Sequence, residues 1–481
     1  MKTQEQSYQS PFSWRYGSAE MRAIWSEWQK HLLWRKLWLI LAETEAEFGL
    51  VGQAQVQDLR KNLEQIDLQR IAQIEAEVHH DLMAALKAYA EQCPLGGAIL
   101  HLGATSMDIK DNAEALRVYE SLFLVRRRLE ELLEAFCLQI EKYAEVPVMA
   151  FTHLQPAEPT TLGYRLAQYA QDLWLDWKEL AKRITEFRIK GFRGAVGTSA
   201  AYIELIGEEE VERFQQRLAE RVGLPVYEVV TQVYPRKQDF RIASTLAGLG
   251  ASLHRFALDL RFMQSAVIGE WMEPFGEKQV GSSAMPFKRN PIQAEKINAL
   301  ARQLAQLPRL AWDHSAHSIL ENTLDDSASR RTLLPEMFLI TDELLRTALR
   351  LVKNLVFQEE NIQRNFERFA PFAATERILT AATQAGASRQ EVHEVLRRLS
   401  MRAWESIRQK GSNPLIGLIL EEPILLRYLS REQLRELMSV SRYLGDASLR
   451  SKRLVTAIRT DLEKGKVDID KRTAFDVHLV I

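Results

Sequence analysis

An all-α fold built around a bundle of long helices is predicted by three observations. Apolar residues recur at steps of three and four through the middle of the chain, alternating strand patterns are scarce, and a few segments rich in Gly, Pro, Ser, Thr and His interrupt the helical runs. The first observation carries most weight. Leu246, Leu249, Leu253, Phe256, Leu260, Met263, Val267 and Trp271 fall on one helical stripe, the pattern of a long core helix.

Similar stripes run through Leu122, Val125, Leu129, Leu132, Phe136, Ile140 and Tyr143, and through Leu166, Tyr169, Leu173, Trp177, Leu180, Ile184 and Phe187. Ile297, Leu300, Leu304 and Leu307 form a shorter one, and Leu344, Ala348, Leu351 and Leu355 another. About five long helices with near-heptad spacing favour bundle packing. Tyr227 to Thr231 is a short strand candidate, too isolated to build a parallel sheet. After Phe357 the stripes shorten and are broken by Gly411-Ser412-Asn413-Pro414 and Pro423. The predicted division is therefore an N-terminal helical domain over 1–108, a central long-helix bundle with a chemistry-bearing loop over 109–357, and a C-terminal helical domain over 358–481.

Composition narrows the function. Lys and Arg number 63 against 64 Asp and Glu, so there is no bulk positive field to gather nucleic acid or a membrane surface, and any anionic ligand must be held by local clusters. Cys93 and Cys137 are too few for a disulfide framework and too far apart for a zinc signature, which fits a reducing cytoplasm. The opening Met1 to Gln6 is polar and unlike a signal peptide. The aliphatic run Leu37 to Ala42 falls far short of the roughly 20 residues that cross a bilayer.

Four interrupting segments are places where side chains are free to do chemistry: Pro94 to Asp111, Val146 to Thr161, Glu273 to Pro291, and His314 to Arg331. In the third, Gly281-Ser282-Ser283-Ala284-Met285-Pro286-Phe287-Lys288-Arg289-Asn290-Pro291 combines a flexible start, two hydroxyls, two cations and an Asn-Pro that can open the next helix. Lys288, Arg289 and free N–H groups at that helix start would stabilise developing negative charge. An exposed basic loop has the same composition. His79 and His80 are adjacent, so on one helix they diverge by about 100 degrees and cannot share a metal. His314 and His317 could, but no third ligand is near, and no metal is expected. Gly191 to Gly197 has the wrong spacing for a dinucleotide fingerprint and reads as a turn.

The loop matches G-S-S-x-M-P-x-K-x-N-P, the signature of the fumarase/aspartase superfamily, and its surroundings resemble the animal-type adenylosuccinate lyases from Arg15 onward. The residues that carry the resemblance are Arg15-Tyr16-Gly17-Ser18, His80 to Ala84, His101 to Ser106, Phe151 to Ala157, Gln232 to Lys237, and Thr323 to Arg331. Argininosuccinate lyase and carboxymuconate cycloisomerase are similar in fold, but Ala284, Phe287, Arg289 and the Leu-Asp-Asp-Ser run lie closer to adenylosuccinate lyase.

The resemblance implies a β-elimination from a succinyl-purine nucleotide, with no cofactor. It makes Ser282 the base, with Ser283 as fallback, His153 the acid, and Lys288, Asn290 and His80 further catalytic groups. Such an elimination needs a base, concentrated positive charge for an aci-carboxylate intermediate, and an acid for the leaving nitrogen. Arg15, Tyr16, Ser327 and Arg331 are implied phosphate contacts, and Thr105, Ser106, Gln232, His80 and Asp81 implied contacts to the succinyl and purine parts. Asp325-Asp326 is read as a helix cap rather than a carboxylate pair. The family builds a homotetramer in which each site draws on three subunits. Three positions depart from the animal-type pattern: Asn322, Lys296 and His79 each stand where an arginine is usual. Lys296 and His79 are kept as binding candidates, and a related C–N lyase on another N-succinyl compound, or a non-catalytic oligomeric scaffold, remain the alternatives.

Overall fold

The computed structural model describes residues 7–440 and 443–480, with side chains through residue 465. The polar opening from Met1 to Gln6 lies outside the described residues. The N-terminal part holds α1 (Ala19–Ile24), α2 (Glu27–Glu47), α3 (Gln53–Lys61), α4 (Leu68–Val78) and α5 (Asp81–Gln92). Next come α6 (Ser106–Lys142), the antiparallel hairpin β1 (Pro147–Thr152) and β2 (Gln155–Thr161), α7 (Leu162–Thr185), α8 (Ala200–Ile206), α9 (Glu208–Val222) and α10 (Lys237–Gln264). They are followed by β3 (Trp271–Met272), α11 (Ile292–Leu304), α12 (Leu307–Ala316), α13 (Ser327–Asn354) and β4 (Val356–Phe357), which pairs with β3. The remainder is α14 (Glu359–Gln384), α15 (Arg389–Lys410), α16 (Leu415–Leu420), α17 (Pro423–Leu426), α18 (Arg431–Met438) and α19 (Ala447–Val480).

The all-α reading holds: four of the predicted stripes run along α6, α7, α10 and α13, and the shorter fifth begins on α11. Helix α6 packs on α7 and α13, and α10 on α7, α11 and α12. Leu122, Val125, Leu129, Leu132, Phe136 and Ile140 are buried along α6, and Leu246, Leu249, Leu253, Phe256 and Leu260 along α10. Each such side chain contributes about 1.5–3 kcal/mol on burial, so the bundle is held mainly by these seams. Where α6 hands over to α7 the backbones nearly touch: a Cβ at Gly163 would lie 2.6 Å from the Ile140 carbonyl oxygen. A second core, from Phe366 to Val440, sits under α14, α15, α16 and α18 and takes in Met149 of β1. Helix α19 returns to the bundle, where Val455, Ile458 and Leu462 join the main core.

Several local expectations are corrected. The α10 stripe does not continue to Val267 and Trp271: the helix stops at Gln264, Val267 is exposed, and Trp271 is buried in β3. Ile297 to Leu307 is not one stripe, since α11 ends at Leu304 and α12 begins at Leu307. Tyr227 to Thr231 is not a strand, and the nearest pairing is a single bridge between Ile189 and Val226. The longest strands are instead those of the hairpin, in which β2 is rich in Pro and Thr and β1 buries Val148 and Met149 side by side, so neither reads as an alternating strand. Gly191 to Gly197 is a turn, tied down by the Asp108 carboxylate, which pairs with Lys190 and accepts from the Arg193 and Gly194 N–H groups.

Candidate active site

Helices α4 and α5, the start of α6, the segment before α10 and the start of α13 converge on an open cavity of about 430 Å³. It is lined by His79, His80, Asp81, Thr105, Ser106, Gln232, Ser327 and Arg331, eight of the residues expected from sequence, together with Glu75, Met107, Lys110 and Leu324. These twelve come from widely separated stretches because helix ends meet here. His79 closes α4 in a left-handed conformation, φ 52°, and His80 opens α5 as its N-cap. The two histidines thus straddle a break rather than sharing one helix, which corrects the geometry assumed for them. Thr105 caps α6, its N–H donating to Asp108 Oδ2 at 2.9 Å, and Ser106 is the first helical residue.

Asp81 is the electrostatic centre of the cavity. Lys110 Nζ donates to its two oxygens at 3.0 and 2.7 Å, and Arg331 Nη2 to Oδ2 at 3.2 Å. Burial raises the Asp81 pKa, but the bond and charge of Lys110, the Leu82 N–H and the Arg331 charge outweigh it and leave the carboxyl below its usual range. Gln232 is held twice by the loop before α13. Its N–H donates to the Glu321 carbonyl at 3.2 Å, and its Oε1 accepts from Asn322 Nδ2 at 2.5 Å.

Beneath the cavity lies a buried ion network that sequence reasoning missed. Arg236 donates through Nε to Asp326 Oδ2 at 2.8 Å and through Nη1 to Asp111 Oδ1 at 2.7 Å. Arg330 reaches Asp239 at 2.9 Å, Glu114 at 2.7 Å and the Tyr234 hydroxyl at 2.9 Å. Asp111 also accepts the Tyr234 N–H at 2.7 Å. The network locks α6, the Gln232–Lys237 segment and the start of α13 into one frame. Asp326 stands at the N-cap position, yet its carboxylate is spent on Arg236 and makes no side-chain cap bond, correcting the helix-cap reading.

The other expected residues lie elsewhere. Lys296 and the segment after Arg15 and Tyr16 meet at Glu343: Gly17 N–H donates to Glu343 Oε2 at 3.2 Å and Lys296 Nζ to Oε1 at 2.6 Å. Glu343 is sixteen residues along α13 from Ser327, about 24 Å at 1.5 Å per residue. The loop with Ser282, Lys288 and Asn290 packs at the far end of α10, where Gln264 Nε2 donates to the Arg289 carbonyl at 3.0 Å. That end is about 42 Å from the α10 residues beside Gln232.

Within the loop, Ser282 Oγ accepts from the Met285 N–H at 3.1 Å and Asn290 Nδ2 donates to the Gly281 carbonyl at 3.1 Å. A Cβ at position 281 would run into the Lys288 carbonyl oxygen, so the closed loop requires Gly281. The N–H groups of Gln293 and Ala294 at the start of α11 are not free for a ligand, contrary to expectation. The Glu273 carboxylate accepts both, at 3.1 and 2.6 Å.

His153 occupies the exposed tip of the hairpin, where it and Leu154 both take positive φ, 54° and 57°, in the two-residue connection that matches strand twist. Helix α6 is about 55 Å long. Even with residues 143–153 fully extended back along it, His153 stays roughly 15 Å from Ser106.

Among the described residues no group of three or more His, Cys, Asp or Glu is placed to hold a metal ion, and no helix is long and apolar enough to cross a membrane. Cys93 and Cys137 are buried free thiols.

Comparison with known proteins agrees with this architecture. Residues 17–305 match the family model described as Lyase, and residues 371–454 the one described as Adenylosuccinate lyase C-terminus. A 3-carboxy-cis,cis-muconate lactonizing enzyme from Pseudomonas putida superposes with a TM-score of 0.83 at 25% identity, covering 94% of this chain and 99% of that one. A fumarate lyase from Mesorhizobium sp. BNC1 superposes with a TM-score of 0.80 at 21% identity, covering 94% and 99%. Fold and matched region together define a lyase of the fumarase/aspartase superfamily.

Adenylosuccinate lyases are similar over nearly the whole length. That of Saccharomyces cerevisiae is 36% identical over 449 residues, 92% of each chain, and that of Pyrococcus horikoshii 36% identical over 441 residues, 91% of this chain and 95% of its own. The chain belongs to the adenylosuccinate lyase family.

Proposed function

We propose that this protein is an adenylosuccinate lyase, splitting adenylosuccinate by β-elimination into fumarate and AMP, and acting in the same way on the succinylated aminoimidazole carboxamide ribotide (SAICAR) of purine biosynthesis. The observation that carries this reading is the cavity that unites Ser327 and Arg331 with Thr105, Ser106, Gln232, His80 and Asp81, a set with hydroxyls and a guanidinium for a phosphate and amide and imidazole groups for the remainder. Ser282, as its alkoxide, takes the proton from the carbon beside a succinyl carboxylate. Lys288 and Asn290 stabilise the aci-carboxylate. As the C–N bond breaks, the protonated imidazole of His153 gives its proton to the leaving nitrogen, and the electron pair forms the fumarate double bond.

The active form in this proposal is a homotetramer. Ser282 and His153 both lie at the end of the bundle far from the cavity, so one chain does not bring either of them to it, and antiparallel association of bundles would. The signature loop exposes Val280 and Phe287, apolar surface suited to such an assembly. Action in the cytoplasm on a small molecule, without nucleic-acid or membrane partners, belongs to the same reading. So does a division into 1–108, 109–357 and 358–481.

The test is purified protein with adenylosuccinate, fumarate and AMP being followed by chromatography, beside Ser282→Ala. Turnover lost in the variant supports the assignment. Absence of turnover in the wild type, with activity on another N-succinyl compound, would favour the related C–N lyase that Asn322 leaves open. No elimination activity on any such compound would leave the oligomeric scaffold.

A further inference from the structure

We propose that Lys110 is a substrate-binding residue that takes the phosphate of the nucleotide together with Ser327 and Arg331, and that Asp81 holds its ammonium in place; this rests on the nucleotide-lyase reading above. Lys110 lies four residues after Ser106 on α6, so both side chains share a helix face, and both line the cavity. The other charges of this stretch are turned elsewhere: Asp108 is fully buried against Lys190, and Asp111 is buried against Arg236. Lys110 is therefore the charge that α6 itself presents to the ligand.

Its surroundings fit an anion. Lys110 and Arg331 share one carboxylate, Asp81, so an arriving dianion meets two cations held by a single negative charge. Asp81 occupies two of the three ammonium N–H directions and leaves a third for a phosphate oxygen. Ser327 begins the 28-residue α13, whose N-terminal dipole favours negative charge. Glu75, His79 and His80 complete the titratable lining. Asn322 is a neutral amide and brings no charge, and its NH₂ group donates to Gln232. Lys110 supplies the cation that Asn322 does not.

The experiment compares the affinities of the full-length protein for AMP and for adenosine by titration calorimetry, alongside adenylosuccinate kinetics. In Lys110→Gln the AMP affinity should fall about tenfold or more while that for adenosine barely moves. KM should rise with kcat within a few-fold of wild type, and Lys110→Arg should retain the preference for AMP. Lys110→Met, which keeps the apolar stem, is read in the same way, so a folding failure of one variant leaves the other to decide. An unchanged AMP-to-adenosine ratio in a folded variant, with wild-type turnover intact, would overturn the role of Lys110 alone. Absence of wild-type turnover of adenylosuccinate would overturn the lyase reading beneath it.

Discussion

The Glu273 carboxylate accepts the Ala294 N–H at 2.6 Å and so caps α11 from across the signature loop. The segment between Glu273 and α11 is thereby pinned at both ends, with Gln293 bound to the same carboxylate. Glu273→Gln keeps one acceptor but turns an NH₂ group toward a backbone N–H. A loss of about 1–2 kcal/mol is expected, seen as a lower melting temperature and faster amide exchange at Gln293 and Ala294.

Arg330 is 4% exposed and bonded to Asp239, Glu114 and Tyr234. Arg330→Met leaves buried carboxylates without their cation, and a cost of about 3–5 kcal/mol is expected. Denaturant titration measures it. Stability equal to wild type would mean that the network does not hold α6 and α13 together.

Asn322 orients the Gln232 side chain. Asn322→Ala should raise KM for the nucleotide several-fold, corresponding to about 1 kcal/mol, with kcat little changed. Steady-state kinetics on both variants at Asn322, Ala and Arg, separate an orienting amide from a missing charge: if Arg lowers KM, the cavity is short of a cation.

The distance of both His153 and Ser282 from the cavity predicts a site shared between chains, and complementation follows where different chains supply the two residues. His153→Ala and Ser282→Ala, each inactive, should regain activity when unfolded together and reassembled. Random tetramers restore about a quarter of the sites. A mixture that stays inactive would place both residues in one chain's site.

Glu45 on α2 is buried, with Oε1 lacking a hydrogen-bond partner, and burial pushes its pKa up to about 8. The folded state thus keeps a proton that the unfolded chain releases near its ordinary value of 4.5. Stability must fall as pH rises from about 4.5 to about 8 and level off above that. Glu45→Gln removes this slope. Its advantage in melting temperature over wild type should grow across that window, and a constant difference would contradict a buried, protonated Glu45.

Much of the site was legible because the chemistry-bearing residues sit in short runs that break helices, such as His80-Asp81, Thr105-Ser106 and Ser327 to Arg331, and eight expected residues line one cavity. Lys110 was missed although a step of four from Ser106 would have put it on the same face. Arg236 and Arg330 were inside quoted motifs, but nothing in their spacing tells a buried cation from a ligand contact. The hairpin was hidden because β2 is built largely of Pro, Thr and Glu, and β1 buries the adjacent pair Val148 and Met149 instead of alternating.

The sequence by itself determined the all-α class, the helices of the bundle and the lyase signature, because helical periodicity and a contiguous loop motif are local properties of the chain. Only the tertiary structure decided which helix ends meet at the cavity, that Asp326 pairs with Arg236 instead of capping α13, that Glu273 uses up the N–H groups of α11, and that α19 returns to the main core. Each depends on residues tens to hundreds of positions apart coming into contact, and that is set by packing and by the pairing of buried charge.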